Sequence, residues 1–241
     1  MSLTNALDFT GKHVLITGAS DGIGYGMANA FLDAGARVSV TGTKEAANYS
    51  NDFSKMNFYQ LKVEDSAAIE DLVTKFDQLD VLINSVGLVL YKKQEFERDI
   101  FEKILTINLT GVMHLCTAFH DLLAVAEGNI INLDSVAGIR AIPSNPAYSA
   151  SKAGLAHLTK SLAKRWGSHG IRVNGIAPGL IPTKLTTNQS GAEQEKEFVT
   201  RCPLGRFGTV EDIAGGALFL ASPLAAYVTG HTVVIDGGLI I

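Results

Sequence analysis

The chain has 241 residues, 46% hydrophobic and 18% charged, with a net charge of −4 at pH 7. This composition excludes an intrinsically disordered chain, and the slight acidity with scattered Lys and Arg excludes the basic footprint of a nucleic-acid or anionic-membrane binder. Two cysteines and six histidines without ligand spacing predict neither a disulfide framework nor a metal centre. No apolar run is long enough to cross a bilayer and no leader pattern opens the chain, so a soluble, cytoplasmic protein is expected.

Short β-branched runs alternate with longer helical patterns from end to end. The expected strands are 13–17, 37–41, 58–63, 80–84, 129–133, 172–177 and 232–236, and the expected helices 23–34, 66–76, 99–125, 148–168 and 210–221. The strands are apolar on both faces, as in a parallel sheet covered on both sides. Gly35 and Gly170 stand where helix-ending glycines belong. A chain of this length fits one α/β domain over 1–241: a doubly wound parallel sheet of about seven strands with helices on both faces. The polar stretch 183–198 is too long for an ordinary connection and is expected to be a substrate lid.

After the first strand comes TGASDGIG (17–24), leading straight into a helix that begins near Ile23. Gly18, Gly22 and Gly24 permit a tight turn and a close backbone approach, and the helix offers free N–H groups to a pyrophosphate. The strand before and the helix after satisfy the context of a Rossmann dinucleotide loop. Further on, Tyr148 and Lys152 stand four apart, on one face of a helix. A free tyrosine is a poor acid–base catalyst at neutral pH, and a nearby ammonium, together with the positive nicotinamide when oxidised, is expected to bring its pKa toward working pH. Ser135 ends a strand at the carboxyl edge of the sheet, where ligands of such folds sit.

These motifs resemble the short-chain dehydrogenase/reductase family along essentially the whole chain, and the ending PLGRFG, YVTG, DGG resembles the bacterial 3-oxoacyl-acyl-carrier-protein reductase branch. The resemblance implies a catalytic set of Asn108, Ser135, Tyr148 and Lys152, with Asn108 anchoring a water that leads from Lys152 to solvent. It implies cofactor contacts from Gly18, Ser20, Asp21, Gly22, Ile23 and Gly24 in the loop, and from Thr43, Lys44 and Val63 beyond the second and third strands. Further contacts are implied from Asn84, Ser85 and Gly87, from Tyr148 and Lys152, and from Pro178, Gly179, Ile181 and Thr183. There are two departures from the pattern: Ser85-Val86 replaces the family's Asn-Ala in Asn-Asn-Ala-Gly, and Lys62 stands where an aspartate often meets adenine.

The implied function is an NAD(P)-dependent oxidoreductase acting between a carbonyl and a secondary alcohol, with Tyr148 as general acid and base. The alternative is a non-catalytic cofactor-binding regulator or scaffold of the same fold. Val86, Leu88, Val136, Ile139 and Leu180 are expected to give a mainly apolar substrate wall. Gly42 takes the place where family members using NAD carry an acidic residue, and Thr43 and Lys44 follow, so NADP(H) is the expected preference with NAD(H) still open. Small residues along 149–156 suit close packing of that helix, which family members use in dimers and commonly tetramers.

Overall fold

A computed structural model describes residues 5–91, 93–183, 197 and 199–241. Among them seven strands form one parallel sheet: β1 (His13–Thr17), β2 (Arg37–Gly42), β3 (Asn57–Gln60), β4 (Val81–Asn84), β5 (Asn129–Leu133), β6 (Arg172–Pro178) and β7 (Thr232–Ile235). Their order is β3-β2-β1-β4-β5-β6-β7. All seven lie within or beside the expected ranges.

Period-two alternation sends neighbouring residues to opposite faces. Val14, Ile16, Val81, Ile83, Ile131 and Ile176 pack on one face, against helices α1 (Gly22–Asp33) and α7 (Val210–Ala221). Leu15, Leu82, Ile130 and Val173 pack on the other, against α2 (Ser66–Val73), α4 (Gly111–Ala118) and α6 (Pro146–Trp166). Along β1, β2, β4, β5 and β6 almost every residue is buried, which explains why these strands read as continuous apolar runs.

The expected helix 99–125 is broken into pieces. It runs as α3 (Arg98–Leu105), a π turn over Thr106–Thr110, α4, and then α5 (His120–Val125) after Phe119. Hydrophobic periodicity carried no sign of the π turn, because it changes the hydrogen-bond ladder and not the apolar pattern. The connection from β2 to β3 lacks a covering α-helix, holding a short 3-10 turn (Ala46–Asn48) instead. Tyr25, Tyr49, Phe53 and Phe58 pack ring against ring there, with centroids 4.8–6.2 Å apart. That aromatic plug buries the sheet's edge in place of a helix.

The order of the strands reverses between β1 and β4, so a crevice opens beyond their carboxyl ends. No helix among the described residues is long and apolar enough to cross a membrane.

Candidate active site

The loop after β1 is built without room for side chains. Gly18 has φ +67, and a Cβ there would lie 2.8 Å from the Val86 Cα across the crevice. A Cβ on Gly24 would lie 2.8 Å from the Gly18 carbonyl oxygen. Asp21 caps α1, its carboxylate accepting from the Gly22 N–H at 2.8 Å, so the helix starts one residue earlier than expected. Thr183 reaches over from the end of β6 and lies against Gly22. The sheet thus brings the glycine loop, the 84–87 segment and the 178–183 segment together at one edge, as the sequence motifs require.

At the far end of this loop, Gly42 closes β2. The space its side chain would fill is held by the Tyr49 hydroxyl, 2.8 Å from the ideal Cβ position. That hydroxyl accepts from the Lys44 backbone N–H at 3.0 Å and lies 3.5 Å from Thr43 Oγ1. Burial pushes the Tyr49 phenol up, but its hydrogen bonds with Thr43, Ser20 and Lys44 outweigh this and hold it below the ordinary tyrosine value. Thr43 and Lys44 are exposed. Sequence reasoning missed Tyr49, because only the shortness of the β2–β3 connection hinted that its residues fold back over the strand end.

The proton-handling residues lie at the other end. Ser135 leaves β5 in extended conformation, and its Oγ accepts from the Ala137 N–H at 3.1 Å. Tyr148 stands in the first turn of α6, hydrogen-bonded to Ser135. Lys152, one turn later, is only 3% exposed and donates to the Leu133 carbonyl at 2.7 Å. Its ammonium lies 5.8 Å from the Tyr148 ring centroid and faces Gly87.

The expectation that Lys152 lowers the phenol is not met here. Burial pushes Tyr148 up to about 12, and the Ser135 hydrogen bond offsets only part of that. The residue is still partly exposed to solvent, so water moderates the rise. The reason is geometric: the ammonium is turned to a carbonyl instead of the phenol oxygen. Lys152 moves the other way, burial bringing it down to about 8 against the pull of Asp134. Asp134 itself is pushed up to about 6 by burial. It points away from Ser135, accepting from Thr232 Oγ1 at 2.9 Å, while its Oδ1 has no partner.

Asn108 sits in the π turn, fully buried. Its Oδ1 accepts from the Leu88 N–H at 2.7 Å, while its Nδ2 donates to the Leu88 carbonyl at 2.9 Å and to Ser151 Oγ at 3.0 Å. Both amide hydrogens are therefore committed to fixing the loop after β4 and the catalytic helix. Any water held here must use other atoms.

Two residues expected to contact the cofactor turn their side chains inward. Asn84 is fully buried and donates to Asn132 Oδ1 at 2.9 Å and to Cys116 Sγ at 3.3 Å; Asn132 in turn donates to Thr159 at 2.9 Å. Facing Thr17 and Asn132 across the sheet, its side chain cross-links strands under the site. Ile181, 4% exposed, turns into the core against Gly208. Of the expected substrate wall, Val86, Leu88, Val136 and Leu180 are partly buried at the crevice, whereas Ile139 is 55% exposed. Val63 is buried beneath the adenosine end beside Gly111. The expected lid, 183–198, lies outside the described residues except for Thr183 and Glu197.

This edge fits a dinucleotide. A backbone cradle free of Cβ atoms lies at a helix N-terminus, a row of hydroxyls lies at one end, and a buried ammonium with a phenol lies at the other. Among the described residues no group of three or more His, Cys, Asp or Glu side chains is placed to hold a metal ion.

A family described as Enoyl-(Acyl carrier protein) reductase matches residues 18–240. The 3-oxoacyl-(acyl-carrier-protein) reductase of Chlamydia muridarum is 35% identical over 95% of this chain and 97% of its own. The 2-dehydro-3-deoxy-D-gluconate 5-dehydrogenase of Bacillus subtilis is also 35% identical, over 98% of this chain and 97% of its own. The crystal structure of a gluconate 5-dehydrogenase from Burkholderia cenocepacia, in complex with NADP and tartrate, superposes with a TM-score of 0.91 at 30% identity, covering 99% of this chain and 98% of that one. The chain belongs to the short-chain dehydrogenase/reductase family, NAD(P)-dependent oxidoreductases acting on CH–OH or ketone groups.

Proposed function

We propose that the protein moves a hydride between a nicotinamide cofactor and a carbonyl or secondary alcohol, using NADP(H) in preference to NAD(H), with Tyr148 as general acid and base. The observation that carries this reading is the Tyr148 phenol hydrogen-bonded to Ser135, with Lys152 buried beside its ring at the edge where the strand order reverses. The cofactor supplies or accepts the hydride. Ser135 holds the substrate oxygen, and Tyr148 gives that oxygen its proton on reduction or takes it on oxidation. A phenol at about 12 is protonated throughout the physiological range and ready to donate. Lys152, at about 8, is the neighbour able to return a proton to it and to bond the ribose beside Gly87.

The adenosine end supports NADP(H). Gly42 brings no carboxylate to repel a 2′-phosphate, and the hydroxyls of Ser20, Thr43 and Tyr49 converge there with Lys44 close by. The Asp21 carboxylate is engaged as the α1 cap. A partly apolar wall of Val86, Leu88, Val136 and Leu180 suits a small or medium carbonyl compound. We place the protein in the cytoplasm as a homodimer or homotetramer that presents the exposed Ala150, Ala153 and His157 side of α6 to a second copy.

The test is to incubate the protein with NADPH or NADH and a panel of 3-oxoacyl thioesters and keto-sugar acids, following nicotinamide absorbance. The proposal predicts turnover of at least one ketone, faster with NADPH. Cofactor binding without turnover of any ketone or alcohol contradicts it.

A further inference from the structure

Glu95 has no part in the reaction outlined above, yet it is fully buried. It lies in a 3-10 turn (Gln94–Phe96) entered through Lys93, a non-glycine residue at φ 65. Left-handed backbone at such a residue persists only where surrounding contacts over-determine it. Burying a carboxylate is costly unless donors satisfy it, and here they do. Oε1 accepts from the Leu90 N–H at 3.0 Å and from Asn145 Nδ2 at 3.1 Å, while Oε2 accepts from the Tyr148 N–H at 2.9 Å. Asn145 Nδ2 also donates to the Leu90 carbonyl at 2.8 Å.

The first turn of any helix leaves its N–H groups without intrahelical partners. At α6 the residue in the capping position, Asn145, makes no side-chain bond to the helix. Glu95 caps it from another element, and the N–H it takes belongs to Tyr148 itself. The same carboxylate holds Leu90, two residues beyond the Leu88 that Asn108 grips. The loop after β4 and the start of α6 are therefore tied at two points, through Asn108 to Ser151 and through Glu95 to Tyr148.

We propose that Glu95 is a positioning residue for Tyr148, fixing the backbone that carries the phenol and placing its carboxylate on the N–H of that same residue. This rests on the reading of Tyr148 as the proton donor. Tyr91 and Glu95 from the loop after β4 and Asp134 from the end of β5 oppose the phenol's ionisation, Ser135 bonds it, and Lys152 from its own helix lies 5.8 Å from the ring centroid. Of these only Lys152 is a cation, so removing Glu95's charge must ease Tyr148's ionisation.

The test uses the full chain with 3-fluorotyrosine incorporated, the Tyr148 resonance being assigned by its loss in Y148F. Glu95→Gln keeps the shape and removes the charge. The expected result is a Tyr148 titration lower than wild type by about one pH unit, with NADPH affinity by fluorescence titration unchanged within about twofold. A Tyr148 titration at the wild-type pH overturns the proposal, since a merely structural brace alters melting and not ionisation. If Glu95→Gln loses its cooperative melt, Asn145→Ala carries the test. It cuts one tie and leaves the charge, and kcat for the ketone selected above should fall at least about fivefold while NADPH affinity holds; an unchanged kcat contradicts the proposal. Should the wild-type protein turn over no ketone, the functional reading fails, while the titration still decides the role of Glu95.

Discussion

The two ends of the crevice are built on opposite principles. At the adenosine end, Thr43 and Lys44 are exposed and Tyr49 is only partly covered. At the nicotinamide end, Asn108, Lys152, Asp134 and Glu95 are all buried, with named partners at 2.7–3.1 Å. Water screens the first set, so each contact there is worth little and can be exchanged. Low dielectric amplifies the second, shifting Tyr148, Lys152 and Asp134 well away from their ordinary values. Substitution is thus tolerated at the open end and not at the buried one.

Substitutions at the two ends should differ accordingly. Lys152→Ala removes a buried ammonium, and kcat should fall by at least about 10² while the NADPH dissociation constant rises. Equal affinity by titration removes the ribose contact from the account. Asp134 gives a stability effect with a definite sign. Its folded carboxyl is raised from 3.8 to about 6, so the folded state binds this proton more tightly than the unfolded chain. That contribution is complete below about pH 3.8 and is lost as pH rises through about 6. Asp134→Asn should therefore gain on wild type by up to about 3 kcal/mol between pH 4 and pH 8, read from urea unfolding at the two pH values. A pH-independent difference places the carboxylate in a wetter site than described.

The smallest effect belongs to the open end. Lys44→Ala should raise the Michaelis constant for NADPH several-fold, about 1 kcal/mol, and leave that for NADH nearly unchanged. Equal loss with both cofactors makes Lys44 a general contact that does not read the 2′-phosphate.

The sheet was legible in the sequence because its five inner strands are buried on both faces, and Gly18, Tyr148 and Lys152 were legible because their spacing is dictated by the backbone. What escaped was polar and interior. Asn84 matched a cofactor motif, yet the register that sets it opposite Asn132 turns it into a strand cross-link. Glu95 carried no signal, since a lone acidic residue in a loop reads as solvated until its three donors are seen. That Lys152 alone does not lower the Tyr148 phenol has a related reason. Helical spacing brings Lys152 to the right face, but it cannot reveal that the ammonium bonds the Leu133 carbonyl.

The central claim is that Tyr148 moves the proton while other groups hold the ligands. Comparing Tyr148→Phe with wild type in NADPH titration and in ketone turnover tests it most directly. The account predicts an NADPH dissociation constant within about twofold of wild type and a kcat lower by at least about 10². A Tyr148→Phe protein that keeps more than about a tenth of wild-type turnover contradicts it.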